Sequence, residues 1–367
     1  MFSRLIRQRG VVPLFIILFA FGYWWVHRTP PQRIATAYIA DRDVILWNTL
    51  AQVRQPVADL HYGDRVDVVR REGASAQLRT AAGVLGWLLD SREMMDATLW
   101  QASIDLLARA RTMVPQARGQ TKTVSNIRAE PGRSGSRIFQ FARGTPIVVL
   151  GRAVAETPQT DDESATGAKK PDNAGSKARQ EDWFLVMSAG GNAAPSGLQP
   201  PARSSVSPVG NGDRVDQTLA PGTLPPAPIA GWVLARFIEL DLPGPVKDYA
   251  NTADLHVVAY FELNRVPDGS GGAAPQYLVA GSHGGEGQSC DFTMLRVYTW
   301  GATARRYETA YVENNLCGRM PIRVASVSGN PQFRFADVAA SSAERVYVMR
   351  QTMVRRVKQG HTAPTRK

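Results

Sequence analysis

Cysteine is scarce in this chain, since Cys290 and Cys317 are the only two among 367 residues. Zinc sites usually draw on cysteines in close pairs, so two cysteines 27 positions apart do not indicate a metal site, even with His283 nearby. The sequence also lacks a His-Glu motif of the metalloprotease type. An even number of cysteines instead predicts a Cys290–Cys317 disulfide if the chain is exported to an oxidising compartment.

One apolar run stands near the N-terminus, where Arg4, Arg7 and Arg9 precede the uncharged residues 10–26. Seventeen residues reach the short end of what spans a bilayer, and the aromatic residues 23–25 suit the far interface. The positive-inside rule keeps the three arginines in the cytoplasm. We therefore predict a single-pass anchor in the inner (cytoplasmic) membrane, with the bulk of the chain in the periplasm.

A cleaved signal peptide is the alternative, because Ala35-Thr36-Ala37 has the small-x-small pattern of a cleavage site. That pattern follows the apolar run by about ten residues, which is further than cleavage usually tolerates. The sequence therefore favours retention as an anchor. No cysteine follows the run, so a lipoprotein start is not indicated.

Acidic residues are outnumbered, with 32 Asp and Glu against 43 Lys and Arg, a formal net charge of +11 and a pI near 9.9. In an exported protein, nucleic acid is not an ordinary partner. Anionic cell-wall polymers or lipid head groups become the natural counterparts, and a solvated surface is the alternative. The densest cluster lies at the C-terminus and comprises Arg350, Arg355, Arg356, Lys358, Arg366 and Lys367.

Residues 34–89 read as short strands separated by turns. Residues 60–69 combine a turn glycine with an alternating strand, and the Gly-Trp-Leu-Leu at 86–89 closes the block. The period then changes, because Asp90 and Glu93 form a capping-box-like start and apolar residues recur at helical spacing. We predict one linker helix of about twenty residues within 90–115.

Residues 116–242 repeat this pattern. Residues 141–150 match 60–69 in their glycine and apolar positions, and residues 231–234 match 86–89. Two stretches, about 154–181 and 189–230, are rich in Ala, Pro, Gly, Ser and charged residues. They cannot bury enough apolar surface to order themselves, so we expect disordered inserts.

Four short motifs in this second block resemble the bacterial SH3-like domain family. They are Asn126-Ile127-Arg128-Ala129-Glu130-Pro131-Gly132, Arg143-Gly144-Thr145, Asp182-Trp183-Phe184 and Gly231-Trp232-Val233. Residues 122–242 match apart from the inserts. Residues 34–89 match less well, because Val44-Ile45-Leu46-Trp47-Asn48 replaces the arginine-bearing start.

The resemblance implies two small β-barrels that tether an exported protein to cell-wall peptidoglycan or its stem peptides. It places ligand binding at Arg128, Arg143, Trp183 and Trp232. Physical reasoning alone gives the tryptophans a second role, since a tryptophan after a turn glycine is often part of the core.

Residues 250–358 predict an all-β domain, with seven β-rich runs between turn-like separators. An antiparallel sandwich, a small barrel and propeller-like blades all fit this spacing. Residues 283–290 combine glycines with reactive side chains, and we interpret them as a structural loop. Glu262, Glu308 and Glu313 are the candidate carboxylates for glycoside hydrolysis. Residues 359–367 read as a disordered basic tail.

The sequence thus predicts a mainly β chain with an N-terminal transmembrane helix, two SH3-like barrels joined by a helix, and a C-terminal antiparallel β domain. We expect a non-enzymatic envelope protein without cofactor or metal. Its expected partners are the membrane and peptidoglycan or an envelope protein, with no nucleic acid. The alternatives are a cell-wall hydrolase with catalysis in the C-terminal domain, and a protein-binding scaffold of an envelope complex.

Overall fold

A computed structural model of the chain describes residues 32–157, 179–189, 225–340 and 343–357. Strands predominate there, two α-helices occur, and the strand pairs are antiparallel, which confirms the mainly β fold. Among these residues, no helix is long and apolar enough to span a membrane. The predicted anchor at 10–26, the tail at 359–367 and most of both predicted inserts lie outside the described residues.

The first β unit (residues 35–39 and 43–96) is a seven-stranded antiparallel sheet. Its strand order is β3-β2-β6-β5-β4-β1-β7. Alternate side chains form its core, among them the fully buried Ile39, Leu46, Val68, Leu78 and Leu88. The strands are β1 (Ala35–Ile39), β2 (Asp43–Trp47), β3 (Pro56–His61), β4 (Arg65–Glu72), β5 (Ser75–Arg79), β6 (Leu85–Leu88) and β7 (Met94–Asp96).

The second β unit (residues 117–240) has seven strands in the order β10-β9-β13-β12-β11-β8-β14. Adding seven to each strand number of the first unit reproduces this order, so the two units share one topology. The strands are β8 (Ala117–Thr121), β9 (Ser125–Arg128), β10 (Arg137–Phe141), β11 (Pro146–Glu156), β12 (Gln180–Ser188), β13 (Ile229–Leu234) and β14 (Ile238–Leu240).

The repeated turn glycines occupy equivalent positions in the two units. Gly63 and Gly144 have φ of 87° and 74°, a region that favours glycine. Their backbone N–H groups donate to the carbonyl oxygens of Ile39 and Thr121, at the ends of β1 and β8. The same hydrogen bond therefore closes the same corner of both sheets.

The Gly-Trp pairs mark a close approach between strands. A Cβ at Gly86 would lie 2.7 Å from Leu46 Cβ, and one at Gly231 would lie 2.4 Å from Ile127 Cγ2. Only glycine leaves room for the crossing strand. The next residue, Trp87 or Trp232, projects from the opposite face because side chains alternate along a strand.

The linker helix is shorter than predicted. It is α1 (Ala97–Ala110), and the expected cap at Asp90 instead opens a 3₁₀ turn, Ser91–Glu93, in which Asp90 accepts from the Arg92 N–H. Residues 94–96 then form β7 and pair with β1, so Met95 is a buried strand residue. Pairing with β1 therefore makes residues 94–96 a strand despite their helical spacing of apolar residues. The first β unit consequently extends beyond residue 89.

The apolar face of α1 packs on the second β unit. Leu106 and Ala110 contact a cluster formed by Leu150, Leu185 and Ala230. The opposite face of α1 is more polar and exposed, and the apolar residue Ile104 also lies on it. This helix therefore covers one outer face of the second sheet.

The C-terminal β region (residues 255–357) follows an unpredicted helix, α2 (Gly244–Thr252), and contains eight strands rather than seven. The extra strand arises because the last of the seven β-rich runs predicted from the sequence, residues 345–353, turns at Gln351, whose φ is 54°. Two four-stranded sheets form with consecutive strand order. They comprise β15 (His256–Pro267), β16 (Ala273–Ser282), β17 (Met294–Gly301) and β18 (Arg306–Glu313), then β19 (Gly318–Val327), β20 (Asn330–Asp337), β21 (Ala343–Arg350) and β22 (Met353–Arg356).

The second β unit and the C-terminal β region belong to one compact unit. The Arg152 side chain, 2% exposed, donates to the Asp182 carboxylate at 2.6 and 3.1 Å and to the carbonyl oxygens of Gln288 and Cys290. The Gln116 amide makes two further hydrogen bonds to the backbone of Ile322. Buried polar contacts thus join the two parts.

The predicted inserts are narrower than expected. Strand β11 continues to Glu156 and β12 begins at Gln180, and these two residues are paired. At the other end of β12, Ser188 pairs with Ile229 of β13. The hydrogen bonds between paired strands thus extend β11, β12 and β13 into residues that composition alone had assigned to the inserts.

Candidate functional site

Arg128 lies on β9, paired with Trp232 of β13 on one side and Arg137 of β10 on the other. Directly paired residues project from the same face of an antiparallel sheet, so the guanidinium and the indole share one face. The Arg128 side chain is half-buried, and its Nη1 donates to the carbonyl oxygen of Gly135. Two of the four predicted ligand residues are therefore brought together.

The charge of Arg128 is poorly compensated. Burial lowers the pKa of its guanidinium, and the positive charges of Arg133 and Arg137 lower it further. In the part of the chain that the structure describes, Arg128 has no ion-pair partner, and its hydrogen bond goes to a neutral carbonyl. Arg137 pairs with Asp41, and Arg133 pairs with Glu181. Arg128 is therefore the guanidinium of the three that a bound carboxylate would neutralise.

The neighbouring Arg133 is already occupied. Its Nε and Nη2 donate to the two carboxylate oxygens of Glu181 at 2.9 and 2.8 Å. Arg236 donates to the same carboxylate at 2.9 Å and to Glu286 at 3.2 Å. The hydrogen bond from Arg133, supported by Arg236 and opposed by burial, lowers the pKa of Glu181 from 4.5 to about 2. Glu181 is therefore ionised at neutral pH.

Arg143 lies away from Arg128. It occupies the exposed turn after β10, beyond the end at which Phe141 pairs with Ser125, whereas Arg128 pairs at the opposite end of that ladder. Strand β10 runs from Arg137 to Phe141, about 13 Å, before the turn that carries Arg143. The structure does not bring the two predicted arginines into one site.

The two predicted tryptophans have different environments. Trp183 is 2% exposed, and among the residues that the structure describes its indole N–H has no hydrogen-bond partner. It therefore belongs to the interior, and a ligand cannot stack on it without rearrangement. Trp232 is partly buried and packs against the α1 cluster with Leu185.

The first β unit carries an aromatic pair in the equivalent place. Trp47 of β2 pairs with Trp87 of β6, so Trp47 occupies the position that Arg128 has in the second unit. The Arg54 guanidinium lies 4.8 Å from the Trp47 ring centre, and that of Arg70 lies 5.9 Å from Trp87. Sequence reasoning missed both arginines, because neither contact follows from a local sequence motif.

The loop 283–290 is held by structural contacts. The backbone N–H of Gly287 donates to Asp182, and His283 Nδ1 lies 2.9 Å from the carbonyl oxygen of Asp254. The predicted disulfide is confirmed, with the sulfurs of Cys290 and Cys317 2.04 Å apart. Among the described residues, no group of three or more His, Cys, Asp or Glu side chains could hold a metal ion.

The candidate carboxylates do not converge. Glu262 pairs with Tyr277, whose ring contacts Tyr307, so Glu262 projects from the face opposite to Glu308. Glu308 and Glu313 share a face but pair with residues four apart on β17, which separates their backbones by about 13 Å. Glycosidases need two carboxyl groups within roughly 5 to 9.5 Å. The strand register places none of these three glutamates directly beside another.

Comparison with protein-family models gives no match, and no curated protein is significantly similar to the chain. The functional assignment therefore rests on the residues and geometry described above.

Proposed function

We propose that this chain is a non-enzymatic, membrane-anchored protein of the cell envelope that binds cell-wall peptidoglycan or its stem peptides. The observation that carries the proposal is Arg128, a half-buried guanidinium crowded by two others and without a carboxylate partner among the described residues. Stem peptides supply carboxylates, and charge-assisted hydrogen bonds to a guanidinium are strong.

The shared topology of the two units supports an assignment to SH3-like modules. The turn glycine and the Gly-Trp pair belong to the motifs that carry the resemblance, and both units hold them at equivalent positions of the same strand order. The second unit is the better ligand site, since Trp47 replaces the Arg128 guanidinium in the first. Trp183 is not part of the proposed ligand site, because its side chain is buried.

Membrane anchoring by residues 10–26 is part of the proposal. The competing cleavage motif, Ala35-Thr36-Ala37, forms the first half of β1 and pairs with β4, and Ala37 is buried. Cleavage after Ala37 would remove three of the five residues of β1, the strand that lies between β4 and β7. A phosphatase fused after Val357 should therefore be active in the periplasm and need detergent for extraction.

The test of ligand binding is co-sedimentation of the detergent-solubilised full chain with purified cell-wall sacculi. The Arg128→Gln variant should bind about tenfold more weakly, because a charge-assisted hydrogen bond contributes about 1.5 kcal/mol. Arg143→Gln should have a smaller effect, and Arg111→Gln, an exposed arginine at the end of α1, should have none. Binding should also weaken with salt.

Two outcomes would contradict the proposal. Equal sedimentation of the wild type and Arg128→Gln would favour the scaffold, in which the units bind protein segments of an envelope complex. Release of soluble fragments from the sacculi by the purified chain would favour the hydrolase. The separation of Glu262, Glu308 and Glu313 leads us to expect no release.

A further inference from the structure

The second sheet of the C-terminal β region has one closed face and one open face. On the closed face, Phe333, Phe335, Tyr347 and Met349 are fully buried. Side chains on the opposite face are exposed or half-buried along all four strands. The register places on this open face Arg323 and Val327 of β19, Arg334 of β20, Glu344, Val346, Val348 and Arg350 of β21, and Met353 and Arg355 of β22, followed by Val357.

The open face is strongly basic. Arg323 and Arg334 are directly paired across β19 and β20, an arrangement that costs stability because like charges face each other. Within the described part of the chain, Arg334 alone on this face has a carboxylate nearby, that of Glu344 at 3.6 Å. Among the described residues, Arg323, Arg350 and Arg355 form no ion pair, so most of the positive charge is available to a partner.

The positive charges come entirely from arginine. Residues 318–357 contain seven arginines and no lysine, against two acidic residues, Asp337 and Glu344. Asp337 is fully buried and pairs with Arg345 on the closed side. Arginine is suited to phosphate groups because its planar guanidinium can bind two oxygens at once.

Apolar side chains accompany the arginines. Met353 is 58% exposed, Val327 and Val357 are also exposed, and Val346 and Val348 line the middle of the face. Four strands make a surface about 15 Å wide. Arginines beside exposed apolar side chains match the boundary between phosphate head groups and acyl chains.

We propose that this face, defined by Arg323, Arg334, Arg350, Arg355, Val327 and Met353, docks on the surface of a membrane that contains anionic phospholipids. The guanidinium groups bind lipid phosphates, and the apolar side chains enter the interface. This surface is separate from the Arg128 site and does not depend on peptidoglycan binding.

The test is hydroxyl-radical oxidation of Met353 in the full chain, reconstituted in nanodiscs of phosphatidylcholine alone or of phosphatidylcholine with phosphatidylglycerol. Oxidation of Met353 should fall about tenfold on the anionic discs. Oxidation of Met353 on the discs of phosphatidylcholine alone serves as the reference. High salt should restore the oxidation of Met353.

The variant Arg323→Gln, Arg350→Gln, Arg355→Gln should abolish the protection. Each arginine near an anionic surface changes partitioning by about fivefold, so the three together account for about 100-fold. A matched triple variant, Arg71→Gln, Arg111→Gln, Arg306→Gln, removes the same charge from exposed positions elsewhere and should keep the protection. The salt reversal in the wild type tests the same charges without any substitution.

Equal oxidation of Met353 on both kinds of disc would overturn the proposal, as would protection that persists in the Arg323, Arg350, Arg355 variant. Protection by purified sacculi without lipid, and none by anionic discs, would assign the face to a wall polymer instead. Since sacculi binding through Arg128 is measured separately, either proposal can fail while the other stands.

Discussion

Gly231 shows how one residue decides the path of a strand. A Cβ there would meet Ile127 Cγ2 at 2.4 Å and the carbonyl oxygen of Arg128 at 2.8 Å. Both neighbours belong to β9, which has to cross closely for Arg128 to pair with Trp232. The missing side chain of Gly231 therefore allows Arg128 and Trp232 to pair in the candidate site.

Gly231→Ala should destabilise the second β unit by about 2 to 3 kcal/mol, because the added methyl forces backbone and core side chains apart. Gly244→Ala is the matched control, since nothing lies within 4 Å of its Cβ position. Urea unfolding of the full chain in detergent would measure both. Equal midpoints for the two variants would show that β9 can move away at little cost.

For individual residues, the sequence indicated which residue types matter, but it did not show which side chains are buried or which lie close together. The resemblance implied ligand binding at both Arg128 and Trp232, and the structure pairs these two residues across β9 and β13. Trp183 is buried, because both faces of β12 are covered, which no local pattern reveals. Arg143 required strand lengths to be known before its distance from Arg128 could be judged.

At the scale of elements, tertiary pairing overrode local signals. Asp90 does cap a turn, but residues 94–96 after that turn pair with β1, and the helix begins only at Ala97. Helical periodicity is visible in sequence, whereas the need of β1 for a second neighbour is not. For the same reason, residues 345–353 read as one strand in the sequence, although they form the hairpin of β21 and β22.

Glu181 ties together elements that are distant in sequence, because Arg133 precedes β10 and Arg236 follows β13. Its pKa is lowered to about 2 in the folded state, so its ionised form stabilises the fold. That contribution is complete above the ordinary pKa of 4.5 and is lost as the pH falls towards 2. The second unit should therefore lose this support in acid.

Glu181→Gln should lower the free energy of unfolding at pH 7, and the difference from wild type should shrink to near zero at about pH 2. Glu156→Gln, an exposed carboxylate on β11, should show little difference at either pH. Denaturant unfolding at pH 7, 4 and 2 provides the comparison. A difference that stays constant across this range would mean that ionisation of Glu181 is not the cause.

The whole molecule depends on contacts that no local pattern predicts. Sequence reasoning separated the second unit from the C-terminal β region at about residue 250. The structure joins them through Arg152, whose charge is balanced by Asp182 and Asp291 from the two sides. The partners lie 30 and 139 residues away, so the ion pair depends on long-range packing.

Arg152→Met should leave the buried Asp182 carboxylate without its counter-ion, whereas Asp291 keeps its ion pair with Arg319, and should cost about 3 to 5 kcal/mol. The second unit and the C-terminal β region should then unfold in two transitions rather than one. Arg265→Met removes an exposed ion pair with Glu262 and should cost about 1 kcal/mol or less. Calorimetry would distinguish these cases, and one unshifted transition for Arg152→Met would show that the ion pair does not couple the two parts.

The paired ends of β12 have a consequence for genetic manipulation of this protein. Because Glu156 pairs with Gln180 and Ser188 with Ile229, each intervening segment leaves and re-enters the sheet at neighbouring residues. Loop-closure entropy grows slowly, by about 0.6 kcal/mol for each doubling of length. A fluorescent protein whose termini lie close together can therefore be spliced between residues 157 and 179, which would allow the molecule to be followed in living cells with both chain ends unmodified.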